Sequence, residues 1–185
     1  VVTFESNGGS AVAAKKVGVN THVLMPEKPT KEGYIFAGWY NIPGGPEANG
    51  ALFDLEKDTV TGDMTLYAYW TPVPFEVELK VGVTLYNAET AQFEYVIYET
   101  YTELVYYQCD YTLPIPEIED KSKVFWGWYG DSNIESTPYT DAEGKSIVKW
   151  TKTSGYTLYA GWVDALAYSL EDGVNGKTWH ITQGE

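Results

Sequence analysis

A repeat constrains this chain more than any other feature. Phe36-Ala37-Gly38-Trp39-Tyr40 recurs as Phe125-Trp126-Gly127-Trp128-Tyr129, 89 positions later. Thr65-Leu66-Tyr67-Ala68-Tyr69-Trp70 recurs as Thr157-Leu158-Tyr159-Ala160-Gly161-Trp162, 92 positions later. Upstream, Val23-Leu24-Met25-Pro26 is echoed by Tyr111-Thr112-Leu113-Pro114 at an offset of 88. Three blocks in one order with slowly drifting offsets are the mark of a duplication with small loop insertions. The 185 residues are therefore expected to form two like domains, each roughly 90 residues long.

The blocks read as strands. Alternate side chains of Gly33–Tyr40 fall on opposite faces and both faces are apolar, which predicts a short strand buried on two sides. Gly38 and Gly127 sit where a strand glycine permits a bulge or a close backbone approach. Turn chemistry separates the runs at Ser6–Ser10, Pro43–Pro46, Thr61–Asp63 and Asp141–Gly144. Phe53–Asp58 has room for one or two helical turns. The second copy opens with two long strands, Phe75–Tyr86 and Phe93–Tyr107. Either Val77-Glu78-Leu79 or Leu85-Tyr86 then corresponds to Val2-Thr3-Phe4. Domain boundaries are placed at residues 1–71, 72–163 and 164–185, with Thr71-Pro72-Val73-Pro74 as a short, stiff linker. Residues 164–185 read as strand, turn, strand, either a hairpin added to the second copy or the start of a following module. Because Val1–Phe4 already reads as strand, the sequence is expected to start at a domain edge inside a longer protein.

Composition removes several classes of function. Hydrophobic residues are 44% and aromatics 16% of the chain, which excludes a disordered reading. The net charge is −14 and all 12 bases are lysines, so the planar arginine fork that grips phosphates and guanine edges is missing. Nucleic acid and anionic lipid would be repelled. No apolar run approaches the ~20 residues of a membrane span, so direct insertion is not expected.

Catalysis has little to work with. Cys109 is the sole cysteine and lies far in sequence from His22 and His180, with no nucleophile signature around it. Zinc needs three or four Cys/His ligands, and three such residues are scattered over the whole chain. Asp131, Asp141 and Glu143, like Asp58 and Asp63, match no calcium loop. The chain is read as non-enzymatic, with no catalytic, metal or cofactor-binding residue and no cofactor.

The aromatics divide into two sets. Trp39, Trp70, Trp128 and Trp162 recur in register and are assigned to core packing. Trp126 stands where the first copy has Ala37, so the repeat assigns it no structural duty. With Tyr95, Tyr98, Tyr101, Tyr106 and Tyr107 it forms a candidate patch for stacking on a sugar or anchoring a protein. A tyrosine ladder that only stabilises the sheet competes with that reading.

The quoted residues carry a family resemblance. Val2-Thr3-Phe4 with Asn7-Gly8-Gly9, the string from Pro29-Thr30 through Gly33-Tyr34 to Gly38-Trp39-Tyr40, Phe53-Asp54 and Thr65–Trp70 are similar to the internalin B-repeat, or Listeria–Bacteroides repeat, family. The resemblance is dense over about residues 1–71. Over about 76–162 it is looser, since the second copy lacks the Pro-Thr-x-x-Gly-Tyr part.

It implies an α+β, mostly β fold: two tandem β-grasp (ubiquitin-like) small sheets with little helix. It also implies tandem arrays on exported bacterial surface proteins, so the expected location is extracellular, on the cell surface, with the anchor outside this stretch. The expected role is a non-catalytic spacer or adhesion segment. The alternative is a module binding host glycan or protein through the aromatics of the second copy. The chain is expected to be a monomer or to associate weakly through a sheet edge.

Overall fold

A computed structural model describes residues 1–132, 134, 136–165, 168–173 and 176–181. The chain divides into two units, Val1–Val73 and Pro74–Glu185.

In the first unit, β1 (Val2–Glu5), β2 (Tyr34–Tyr40) and β3 (Met64–Pro72) form a mixed sheet in the order β1-β3-β2. Strand β1 runs parallel to β3, and β2 runs antiparallel to it. Period-two alternation puts Val2 and Phe4 inside and Thr3 and Glu5 outside. Their core is completed by Val23, Trp39, Leu55, Val60, Leu66 and Ala68. The open side of β1 is met by Lys15, whose amide and carbonyl exchange 2.9 Å hydrogen bonds with Val2.

The second unit contains β4 (Pro74–Asn87), β5 (Gln92–Tyr106), β6 (Lys123–Tyr129) and β7 (Tyr156–Asp164), in the order β5-β4-β7-β6. Strand β4 is parallel to β7, with Val77 opposite Tyr156 and Leu79 opposite Leu158. In the first unit Val2 faces Met64 and Phe4 faces Leu66. Leu66 and Leu158 are matched by the repeat, so Val77-Glu78-Leu79 is the counterpart of Val2-Thr3-Phe4. Leu85-Tyr86 instead belongs to the far end of β4, in the hairpin with β5. The three strands β4-β7-β6 therefore repeat β1-β3-β2, and β5 is an addition on the outer flank. Two small mixed sheets with almost no helix are compatible with the β-grasp arrangement. Beyond them, β8 (Tyr168–Gly173) and β9 (Gly176–Ile181) pair as an antiparallel hairpin.

Two expectations need correction. Strand β2 is not buried on both sides: it lies at the sheet edge, and Ile35 is exposed. Phe53–Asp58 forms one helical turn that is not continued, the shorter of the two lengths expected. Asp54 O accepts the amides of Lys57 (3.1 Å) and Asp58 (2.7 Å), and Asp58 Oδ2 accepts the amide of Asp54 at 2.8 Å. Asp side chains that bond nearby amides favour turns over helix continuation. The Val23–Pro26 and Tyr111–Pro114 blocks are loops rather than strands, anchored by the buried Val23 and Leu113 and, in the second unit, by the Trp128 indole on Pro114 O. Their offset of 88 pairs Met25 with Leu113, yet Met25 is exposed and Leu113 buried.

Candidate functional site

The matched aromatics form the same three-ring arrangement twice. Phe36 meets Trp39 at 5.2 Å and Trp70 at 5.4 Å, with interplanar angles of 64° and 67°. Phe125 meets Trp128 at 5.6 Å and Trp162 at 5.8 Å, at 63° and 73°. Edge-to-face contacts set the positive ring edge against the negative face, each adding about 0.5–1.5 kcal/mol beyond burial.

Trp39 and Trp128 are buried, while Trp70 and Trp162 are half-buried with their indole N–H groups engaged. Trp70 Nε1 donates to Ser6 O and Trp162 Nε1 to Gly82 O, both at 2.8 Å. In each unit the indole thus closes a carbonyl just past the buried residues of the first strand. These rings are structural.

A bulge accompanies each triad. Register jumps between Phe36 and Gly38, and between Phe125 and Gly127, leaving Ala37 and Trp126 as the extra residues. Trp126 is 36% exposed at that bulge.

The other candidate patch residues do not share one surface. In an antiparallel pair, residues directly opposite lie on the same face. Tyr101 faces Leu79 and therefore the core, and its hydroxyl donates to Glu99 at 2.9 Å. Tyr95 and Tyr106 face Thr84 and Pro74 on the opposite side. Tyr107 is buried, because the strand ends at Tyr106 and Gln108 turns the chain at φ 54°. Tyr98 is exposed at a second bulge, where Val81 faces Glu99 and Gly82 faces Ile97. As a continuous aromatic face the six residues are not assembled.

Tyr95 has a structural duty. It lies over Gly82, where an added Cβ would come within 2.8 Å of its ring. From there its hydroxyl donates to Ala160 O at 3.0 Å and its ring meets Tyr159 at 5.4 Å. It ties β5 to β7 across β4. That is one rung of the ladder reading, not a run of paired tyrosines.

A buried aromatic cluster backs the second sheet. Trp150 is fully buried among Tyr111, Tyr139 and Tyr156, with ring separations of 5.9, 5.7 and 5.8 Å. Burial pushes the Tyr111 phenol up to about 12 from 10.0, and raises Tyr139, which also bonds Tyr156. Burial disfavours the phenolate, so the folded state holds these protons more tightly than the unfolded chain. Their contribution to stability is complete below pH 10 and is lost as pH rises through the folded values. The urea midpoint of the second unit is expected to fall between pH 10 and pH 12, and Tyr111→Phe to flatten that fall. A midpoint independent of pH across that window would contradict the assignment.

The polar candidates are occupied locally. His22 Nδ1 lies 3.0 Å from Asp58 O. The side chain of His180 lies outside the described residues. Cys109 is half-buried, its amide bonded to Tyr106 O at 3.1 Å. Asp141 Oδ1 accepts the amides of Glu143 (3.0 Å) and Lys145 (2.8 Å), so it shapes a turn. Among the described residues, no group of three or more His, Cys, Asp or Glu is placed to hold a metal ion. Among the same residues, no helix is long and apolar enough to cross a membrane.

One feature was missed from sequence. A cleft of about 740 Å³ opens beside the far end of β4 and is bordered by the Glu117–Asp120 loop. The available signal was the acidic run Glu117-Ile118-Glu119-Asp120 directly after Pro116.

Duplicated mixed sheets built on a repeated aromatic triad define a tandem-repeat protein. Residues 1–69 match the Listeria-Bacteroides repeat domain, and the first unit belongs to that family. The second unit shares its sheet order and triad.

Over 176 residues the chain is 31% identical to a protein of Evansella cellulosilytica named as a Gly-rich membrane protein, covering 95% of this chain and 17% of that protein. It is 32% identical over 145 residues to Internalin H of Listeria monocytogenes, covering 78% of this chain and 22% of that protein. The chain thus spans about a fifth of the length of these relatives. No solved structure matches.

Proposed function

We propose that this chain is a non-catalytic repeat segment of a bacterial cell-surface protein, serving as a spacer that carries other modules away from the envelope. The observation that carries the reading is the repeated Phe-Trp-Trp triad: the rings common to both units are committed to cores and to hydrogen bonds with main-chain carbonyls. Likeness to an internalin and to proteins named as membrane proteins supports the surface location. A spacer needs independently cored units and a fixed chain length, and asks nothing of any particular exposed side chain.

That indifference makes the reading testable. In the intact protein on its own cell, deleting residues 1–164 is expected to reduce antibody access to an epitope tag placed on the far side of the segment. Replacing them with an unrelated folded domain pair of equal size should restore access. Failure of the unrelated pair to restore it would show that this sequence, not its length, is required.

A further inference from the structure

The structure assigns to the cleft of the second unit a role as a docking site for a lysine- or arginine-bearing segment of a partner protein. This goes beyond the spacer reading and does not rest on it.

The cleft exists because β4 outruns its sheet. Strand β4 pairs with β7 only from Val77 to Lys80, while its pairing with β5 continues to Asn87. Val77, Leu79 and Val81 lie on the core face of β4 and are buried. Alternation carries that face onward to Val83 and Leu85, beyond the end of the core. Val83 is half-buried and Leu85 is 48% exposed. Tyr98, the bulge residue of β5, is 59% exposed and lines the same cleft. The floor is therefore an apolar strip that the chain's own core leaves uncovered.

The rim has one sign of charge. Glu99, Glu117, Glu119 and Asp120 line the cleft, and no lysine does. Asp120 is spent on the Ser122 amide (2.9 Å) and hydroxyl (2.6 Å), and Glu99 accepts the Tyr101 hydroxyl. The nearby lysines are engaged locally: Lys121 donates to Ile118 O at 3.3 Å, beside the rim, and Lys123 bonds Asp164 at 2.6 Å. Glu117 and Glu119 are exposed and have no cationic partner among the described residues.

An apolar floor under an acidic rim has a specific complement. Lysine and arginine lay an aliphatic stem along apolar surface while the charged head stays at a polar edge. The volume falls within the range of sites that engulf a ligand, roughly 300–1,000 Å³. A basic segment with alternating apolar residues satisfies both parts of the site, whereas a neutral sugar leaves the negative charge uncompensated and an acidic peptide is repelled. Complementary potential also steers such a segment toward a chain of net charge −14.

The test uses the whole chain and a fluorescent octapeptide alternating lysine and leucine, followed by anisotropy at physiological ionic strength. Glu117→Gln with Glu119→Gln is expected to weaken binding about fivefold to tenfold. Tyr98→Ser should weaken it about fivefold by removing part of the floor. Glu27→Gln with Glu32→Gln, in the first unit, makes the same change in net charge and should alter binding by less than about twofold. Near-ultraviolet circular dichroism verifies that each variant is folded; the glutamine pairs alter only exposed side chains and keep the comparison valid should Tyr98→Ser not fold. Equal weakening by the two glutamine pairs would reduce the effect to general charge attraction and overturn the proposal. So would absence of binding, or equal binding of the glutamate–leucine octapeptide.

Discussion

Trp128→Ala is expected to cost the second unit about 3–5 kcal/mol, the usual range for emptying a large aromatic site in a core. Trp128 is fully buried, and its Nε1 donates to Pro114 O at 2.9 Å. Its amide donates to Thr140 Oγ1 at 3.0 Å, and its ring packs on Phe125. The substitution leaves the Pro114 carbonyl without its donor and removes one of the two indoles packed on Phe125. Marginal domains hold only about 5–15 kcal/mol in total, so much of the unit's stability goes with it. Hydrogen exchange of the β6 and β7 amides measures the loss. Protection reduced by less than about tenfold would mean that the triad is not the keystone of the fold.

Gly127→Ala should be nearly as damaging, for a different reason. Gly127 has φ 143°, a backbone state that side chains rarely adopt, and a Cβ there would sit 2.4 Å from Thr140 O. The backbone strain costs about 1–3 kcal/mol. The overlap adds about 1–3 kcal/mol more, because the obstacle is a main-chain carbonyl that cannot swing aside.

The matched position provides the control. Gly38 has φ 131°, but its Cβ would meet Leu52 Cδ1 at 2.6 Å, the tip of an exposed side chain. Gly38→Ala should therefore show the strain alone. Equal urea-unfolding costs for the two alanines would refute the distinction between a yielding and an unyielding neighbour.

Sequence reasoning found the elements that packing repeats and missed those that pairing decides. The Trp and Phe positions were legible because two copies had to fill the same cavity with the same shapes. The equivalence of Val77-Glu78-Leu79 to Val2-Thr3-Phe4 was not, because both candidate stretches lie on one long strand and only the register against Leu158 separates them. The placement of the second copy's aromatics was hidden on similar grounds. Counting along Phe93–Tyr107 cannot show that Tyr98 sits at a bulge, nor that the chain turns inward after Tyr106 and buries Tyr107. The cleft was not legible because its lining comes from three separate stretches, residues 81–85, 98–99 and 117–120, a spread no local pattern spans. At Phe53–Asp58 the sequence allowed one or two helical turns, and the Asp54 and Asp58 side chains bond nearby amides and stop it at one.

Gly82 matters beyond the space it vacates. By leaving the middle strand bare at that point, it allows Tyr95 to reach across and fasten the outermost strand to β7, a strand with which β5 shares no backbone pairing. A flap hinged only along one seam can be peeled open bond by bond. One pinned through its neighbour resists opening until the Tyr95 contacts with β7 break as well.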